Sequence, residues 1–159
     1  MKKYLYILFI IFLTSKTSAN IKENIILNLK NIENINFDFE QNINGKIEKG
    51  NCTIEYPKKI YCKYNLGNQK ILVSDGKSLI VKTTASYYKY SLNKTPLNYL
   101  LDKDFMIKRI NELDARIVQE KFINFRFTEN ENEINVFFDI NNFNLIGWQT
   151  LDIYQNLSM

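Results

Sequence analysis

The chain contains no histidine. That absence removes Ser-His-Asp and Cys-His catalysis, histidine general bases and nearly all catalytic zinc sites. Phosphate-cradling and dinucleotide-binding glycine motifs are also missing, because no GxxxxGK[ST] and no GxGxxG occurs. The only cysteines are Cys52 and Cys62, and neither follows a secretory cleavage site, so no lipid anchor is expected on the mature chain. Carboxylates are present, but no acidic cluster has a recognisable catalytic spacing. No basic run is dense enough for a nucleic-acid patch. Together these point away from an enzyme, and no catalytic residue, metal or cofactor is expected. Nor is there a linker or an internal repeat, and 159 residues suit one domain.

What is present begins with a secretory pattern. Lys2 and Lys3 precede an apolar run from Tyr4 to Leu13, and Thr17-Ser18-Ala19 offers small residues for cleavage. The run is too short for a bilayer core, which needs about 20 apolar residues. No later segment could span as a helix. We therefore expect a cleaved signal over residues 1–19 and a single domain over residues 20–159. The formal charge of +4 is partly the signal's, since it holds three of the 21 basic residues and none of the 17 acidic ones. The mature chain is then close to neutral. An uncleaved N-terminal anchor is the alternative.

Residues 20–31 read as a helix, with Ile21, Ile25, Leu29 and Ile32 in one apolar stripe. Alternation follows: Ile35, Phe37, Phe39 and Gln41 fall on one side of a strand. Asn44-Gly45, Tyr56-Pro57, Gly67-Asn68 and Asp75-Gly76 then punctuate strands over residues 46–55, 60–66, 70–74 and 78–83, with another at 86–91. At Thr95-Pro96 the pattern changes: Thr95 suits a cap, Pro96 a first helical position, and Leu97, Leu100 and Leu101 share a face. Residues 104–110 read as a helical turn or a loop. Strands are expected again at 113–119, 122–128, 133–140 and 145–154. The order is helix, about six strands, a short helical insert and about four strands. Sequential hairpins imply an antiparallel sheet, and one this large must curl or be covered. Aromatics form 14% of the chain, mostly in strands, while few helices are available to cover them. Periodicity alone leaves open a curved sheet with a lipid-accessible interior and a fully packed sandwich.

The segments Phe39-Glu40-Gln41, Gly50 leading to Tyr56-Pro57, Ile71 to Leu79 with its Val-Ser-Asp-Gly-Lys core, and Thr95-Pro96-Leu97-Asn98-Tyr99-Leu100-Leu101 are similar in order and spacing to the LolA-type lipoprotein carrier family. Phe138-Asp139 and Leu145-Ile146-Gly147-Trp148 extend the resemblance. It implies a mainly β fold with short helices, an antiparallel sheet curved into an unclosed β-barrel under a helical lid. It also implies a periplasmic, monomeric carrier of outer-membrane lipoproteins. Such a carrier takes acylated cargo from an inner-membrane ABC transporter and passes it to an outer-membrane acceptor. On this resemblance Phe37, Phe39, Ile54, Ile60, Leu79, Leu97, Leu100 and Leu101 are candidate cavity or lid residues, ordinary core packing being the other reading of each. Alternatives within the same fold are a lipid-sensing adaptor domain and a glycolipid or phospholipid shuttle.

Three features depart from the family pattern. Many members carry, before the hairpin proline, an arginine that hydrogen-bonds the lid backbone; this chain has Tyr56, which lacks a guanidinium's fork of donors. Lys58 or Lys59 could take over, or be a solvated turn. Secondly, Cys52 and Cys62 lie five residues before and after Pro57, so a hairpin centred there sets them opposite each other. A disulfide is expected in an oxidising compartment, with two buried thiols as the alternative. Finally, members usually continue through another strand after the one bearing Trp148, so a C-terminally short domain is expected.

Overall fold

The computed structural model describes residues 16–43, 45–151 and 157–158. Of the signal expected over residues 1–19, residues 1–15 lie outside the described residues. Helix α1 (Lys16–Asn31) begins earlier than the apolar stripe suggested. Strands β1 (Asn34–Ile43), β2 (Lys46–Glu55), β3 (Lys59–Tyr64), β4 (Ile71–Asp75), β5 (Ser78–Lys82) and β6 (Tyr87–Ser91) follow. A 3-10 turn (Leu92–Lys94), α2 (Leu97–Leu100) and α3 (Lys103–Glu112) form the helical insert. Strands β7 (Arg116–Val118), β8 (Phe122–Glu129), β9 (Asn132–Asp139), β10 (Leu145–Leu151) and the two-residue β11 (Leu157–Ser158) complete the chain.

All the described strands join one antiparallel sheet in the order β6-β5-β4-β3-β2-β1-β11-β10-β9-β8-β7. Edge strands β6 and β7 do not pair, so the curved sheet is not closed into a barrel. The helical insert is the connection between these two edges. β11 bridges the halves of the sheet, pairing with Ile43 on one side and with Thr150 and Leu151 on the other.

Side-chain alternation divides the sheet into two regions. On β8, β9 and β10 the inner face is covered by α1 and α3. There Ile25, Leu29, Met106, Ile110, Ile123, Phe125, Ile134, Val136 and Phe138 make a closed core. Each such apolar side chain contributes about 1.5–3 kcal/mol on full burial. Of the stripe read as Ile21, Ile25, Leu29 and Ile32, the first three seat α1, with Ile25 and Leu29 fully buried, while Ile32 lies just past the helix end. Among the described residues no helix of comparable length lies on the inner face of β1–β6. A smaller cluster of Cys52, Ile54, Ile60, Cys62, Tyr64, Leu79, Leu92 and Leu101 packs there instead.

Several boundaries moved for local reasons. Residues 104–110 belong to a full helix, α3, because Asp102 caps it by accepting from the Phe105 N–H at 3.0 Å. Residues 113–115 lead out of the helix as irregular chain rather than strand, and Gln119 and Glu120 both take positive φ, so β7 shrinks to three residues. Thr95 does not cap α2. Its hydroxyl donates to the Leu92 carbonyl at 2.8 Å and closes the preceding 3-10 turn, while Pro96 occupies the cap position. At Gly50, a Cβ would overlap the Lys63 carbonyl oxygen and the Phe39 ring, so glycine is required where Phe39 crosses β2.

The register of β2 and β3 sets Cys52 opposite Cys62, and the two form a disulfide with Cα atoms 4.1 Å apart. Both are buried on the inner face. Replacing both with alanine should remove about 2–3 kcal/mol and lower the unfolding midpoint by roughly 5–10 °C. Differential scanning calorimetry of the double variant checks this.

Candidate functional site: an apolar cavity under a clamped lid

The uncovered inner face of β1–β6 encloses a cavity of about 840 Å³ with the lid and β10. That is within the range of sites that take drug-sized ligands. Three rows of side chains line it, fixed by the strand register. The first, beside the lid, is Ile35, Ile54, Ile60, Leu79 and Tyr90. The second is Phe37, Cys52, Cys62, Leu72, Val81 and Tyr88. The third holds Phe39, Tyr64 and Lys70, with Gln41 beyond. Trp148 closes the β10 side, its ring edge-to-face with Phe37 at 6.1 Å between centroids.

Of the residues singled out from sequence, Phe37, Phe39, Ile54, Ile60, Leu79 and Leu97 line this cavity. Leu100 and Leu101 do not. Leu100 is buried among α1, α3 and the β8–β10 core, and Leu101 among the β2–β5 cluster. They anchor the lid from behind, while half-buried Leu97 touches both clusters and faces the cavity. Sequence reading missed Ile35, Leu72, Val81, Tyr88, Tyr90 and Trp148 as wall residues. The period-2 alternation of each strand, carried across the hairpins, was the signal that would have placed them.

The lid is held at both ends by backbone hydrogen bonds to two neighbouring hairpin turns. Where it begins, the Leu92 N–H donates to the Lys77 carbonyl at 2.8 Å. Where α2 ends, the Lys58 N–H donates to the Leu101 carbonyl at 2.8 Å. The turns are themselves tied together. Ser74 Oγ donates to the Lys58 carbonyl at 3.0 Å and accepts from the Gly76 N–H at 3.1 Å. Asp75 accepts from the N–H groups of Lys77 and Ser78, both at 2.8 Å, and these hold its carboxyl below its usual pKa. Gly76, with φ of +95°, supplies the left-handed turn residue. The Ser-Asp-Gly-Lys segment therefore works as a lid support.

Tyr56 and the two lysines occupy distinct roles. The Tyr56 hydroxyl is buried and finds no hydrogen-bond partner among the described residues. Burial pushes its pKa up to about 12. It therefore does not hydrogen-bond the lid as an arginine would. Lys58 does make a side-chain contact: its ammonium pairs with the Asp102 carboxylate at 3.2 Å, just behind the lid and at the cap of α3. Lys59 pairs with Glu55 on the exposed outer face. Lys103 Nζ lies 5.8 Å from the Tyr56 ring centre and donates to the Ile32 carbonyl at 2.9 Å, fastening α3 to the end of α1.

One end of the cavity is polar. Glu48 faces inward, is only 5% exposed, and is paired with Lys70 at 2.5 Å and Lys46 at 3.1 Å. Burial pushes the Glu48 pKa up, but the hydrogen bonds and charges of Lys70 and Lys46 outweigh it and hold the carboxyl below its usual value. Lys70 Nζ lies 4.1 Å from the Tyr64 ring centre. Burial, then the Glu48 charge, push the Tyr64 phenol up to about 12, against the Gln41 hydrogen bond.

A curved open sheet with an apolar hollow and a helical lid defines a protein that shelters apolar ligands. Residues 30–158 match the family described as Outer membrane lipoprotein carrier protein LolA, and the chain belongs to that family. It is a carrier family rather than an enzyme family, and its proteins are periplasmic and bind lipoproteins. Among solved structures, the chain is similar to that of a LolA superfamily protein, NE2245, from Nitrosomonas europaea. The likeness has 10% identity and a TM-score of 0.41, and covers 91% of this chain and 76% of that one. No curated protein sequence matches. No helix among the described residues is long and apolar enough to cross a membrane.

Two substitutions test the lid. Tyr56→Phe removes a buried hydroxyl without a partner, so thermal unfolding should show no loss of stability. Asp102→Asn removes the Lys58 ion pair and should release a bound fluorescent fatty acid several-fold faster in stopped-flow measurements. The change in stability should stay within about 1 kcal/mol, because the pair is one-third exposed.

Proposed function

We propose that this protein is a periplasmic carrier that shields the acyl chains of outer-membrane lipoproteins in the cavity between β1–β6 and the lid. It receives cargo from an inner-membrane lipoprotein-releasing ABC transporter and passes it to an outer-membrane acceptor. The observation that carries this reading is the apolar-walled cavity of about 840 Å³ beneath a lid secured at both ends. Each buried methylene contributes about 0.8 kcal/mol, so about ten give roughly 8 kcal/mol before ordering costs, on the scale of micromolar affinity. That range keeps a chain out of water and still lets it leave. Apolar walls achieve this without a reactive group.

The test is lipoprotein release from inner-membrane spheroplasts. Purified protein should draw lipoproteins into the supernatant, and a Leu97→Glu variant that folds normally should draw several-fold less. Release of none by the native protein, or phospholipid uptake in place of lipoprotein, would count against this assignment.

A further inference from the structure

The cavity has a direction. Along β1 the inward residues run from Ile35 beside the lid, through Phe37 and Phe39, to Gln41. Along β2 they run from Ile54 and Cys52 through Gly50 to Glu48, which lies opposite Gln41. On β3 the series is Ile60, Cys62 and Tyr64; on the next strand it is Ser74 and Leu72, with Lys70 opposite Tyr64. Among the inward-facing side chains polarity is gathered at the end farthest from the lid, in Gln41, Glu48, Tyr64 and Lys70, while Asp38 and Glu40 border the cavity from exposed positions on β1, with Glu40 paired to Lys49, and Thr95 at the lid spends its hydroxyl on the Leu92 carbonyl. A closed apolar wall would have been simpler to fold, since buried charges are costly even when paired.

The pairing explains which group serves a ligand. Glu48 is the buried member and does not line the cavity, whereas Lys70, Tyr64 and Gln41 do. Glu48 takes one of the three N–H donors of the Lys70 ammonium and holds it against the Tyr64 ring. With Lys46 also on Glu48, the group carries one net positive charge. Resting on the carrier reading above, we propose that Gln41, Tyr64 and Lys70 form a head subsite for the acceptor oxygens where acyl chains end, ester carbonyls or phosphate. The chains then run from this subsite toward Ile54, Ile60, Leu79 and Leu97 under the lid. Lys70 is the anchoring donor and Glu48 is its positioning residue.

Competition against a neutral fluorescent naphthylamine probe tests this with three ligands of one alkyl length: an alkyl phosphate, a fatty-acid methyl ester and an alkyltrimethylammonium. The native protein should bind the phosphate or the ester about tenfold or more tightly than the cation. Preference for the ester identifies an acyl-ester linkage, which acylated lipoproteins and phospholipids share, and preference for the phosphate identifies a phospholipid head. Lys70→Met together with Glu48→Gln, which removes both charges at once, should erase the preference, and the neutral probe reports in the same titration whether the cavity still binds. Glu48→Gln alone should keep a preference for oxygen-bearing heads. Equal binding of all three ligands by the native protein, or a preference that survives loss of Lys70, overturns the head subsite while the cavity stands. Failure of the neutral probe to bind at all overturns the carrier reading instead.

Discussion

Two backbone hydrogen bonds, from Leu92 to Lys77 and from Lys58 to Leu101, fix the lid over the sheet, and the cavity exists because of them. The insert that carries the lid joins the two unpaired edges of the sheet, β6 and β7. An unclosed barrel would otherwise leave its interior in contact with water along the gap. Here the connection itself spans the gap, and its two ends are pinned by hairpin turns that Ser74 ties to each other. Leu100 and Leu101 sink into separate clusters on either side of the lid. The lid thus has buried anchors, and Leu97 is the side chain it presents to the hollow.

The hollow itself follows from an imbalance. α1 and α3 are long enough to cover β8–β10 and fill that half with Phe125, Phe138 and their neighbours. Among the described residues nothing comparable covers β1–β6, although most of its inner face is also apolar. Sheet curvature, a disulfide across β2 and β3, and the required Gly50 hold that face in shape without filling it. An apolar wall left unfilled costs stability in the empty state, and ligand burial recovers it.

Much of this was legible in the sequence. Alternation at Ile35, Phe37 and Phe39 gave the inward face of β1, and the spacing about Pro57 set Cys52 against Cys62. The stripe Ile25 and Leu29 announced a helix packed on the sheet. Leu97, Leu100 and Leu101 were recognisable as a lid group, but their division of labour was not, since helical periodicity cannot say what stands on each side of a short helix. The short β7 was hidden because residues 113–115 run irregularly out of α3 and Gln119 and Glu120 turn back, which depends on tertiary packing. Lys58 could be named as a stand-in for the missing arginine, yet choosing it over Lys59 required knowing which points toward Asp102. Glu48 and Lys70 drew no notice, because charges in an alternating strand read as solvent-facing until register shows them pointing inward.

The most direct measurement is native mass spectrometry of the protein recovered from a Gram-negative periplasm. The account predicts a folded protein carrying adducts with the masses of acylated lipoprotein. A folded protein that carries no lipid, and takes none up when offered it, would contradict the claim that the space beneath the lid is a binding cavity.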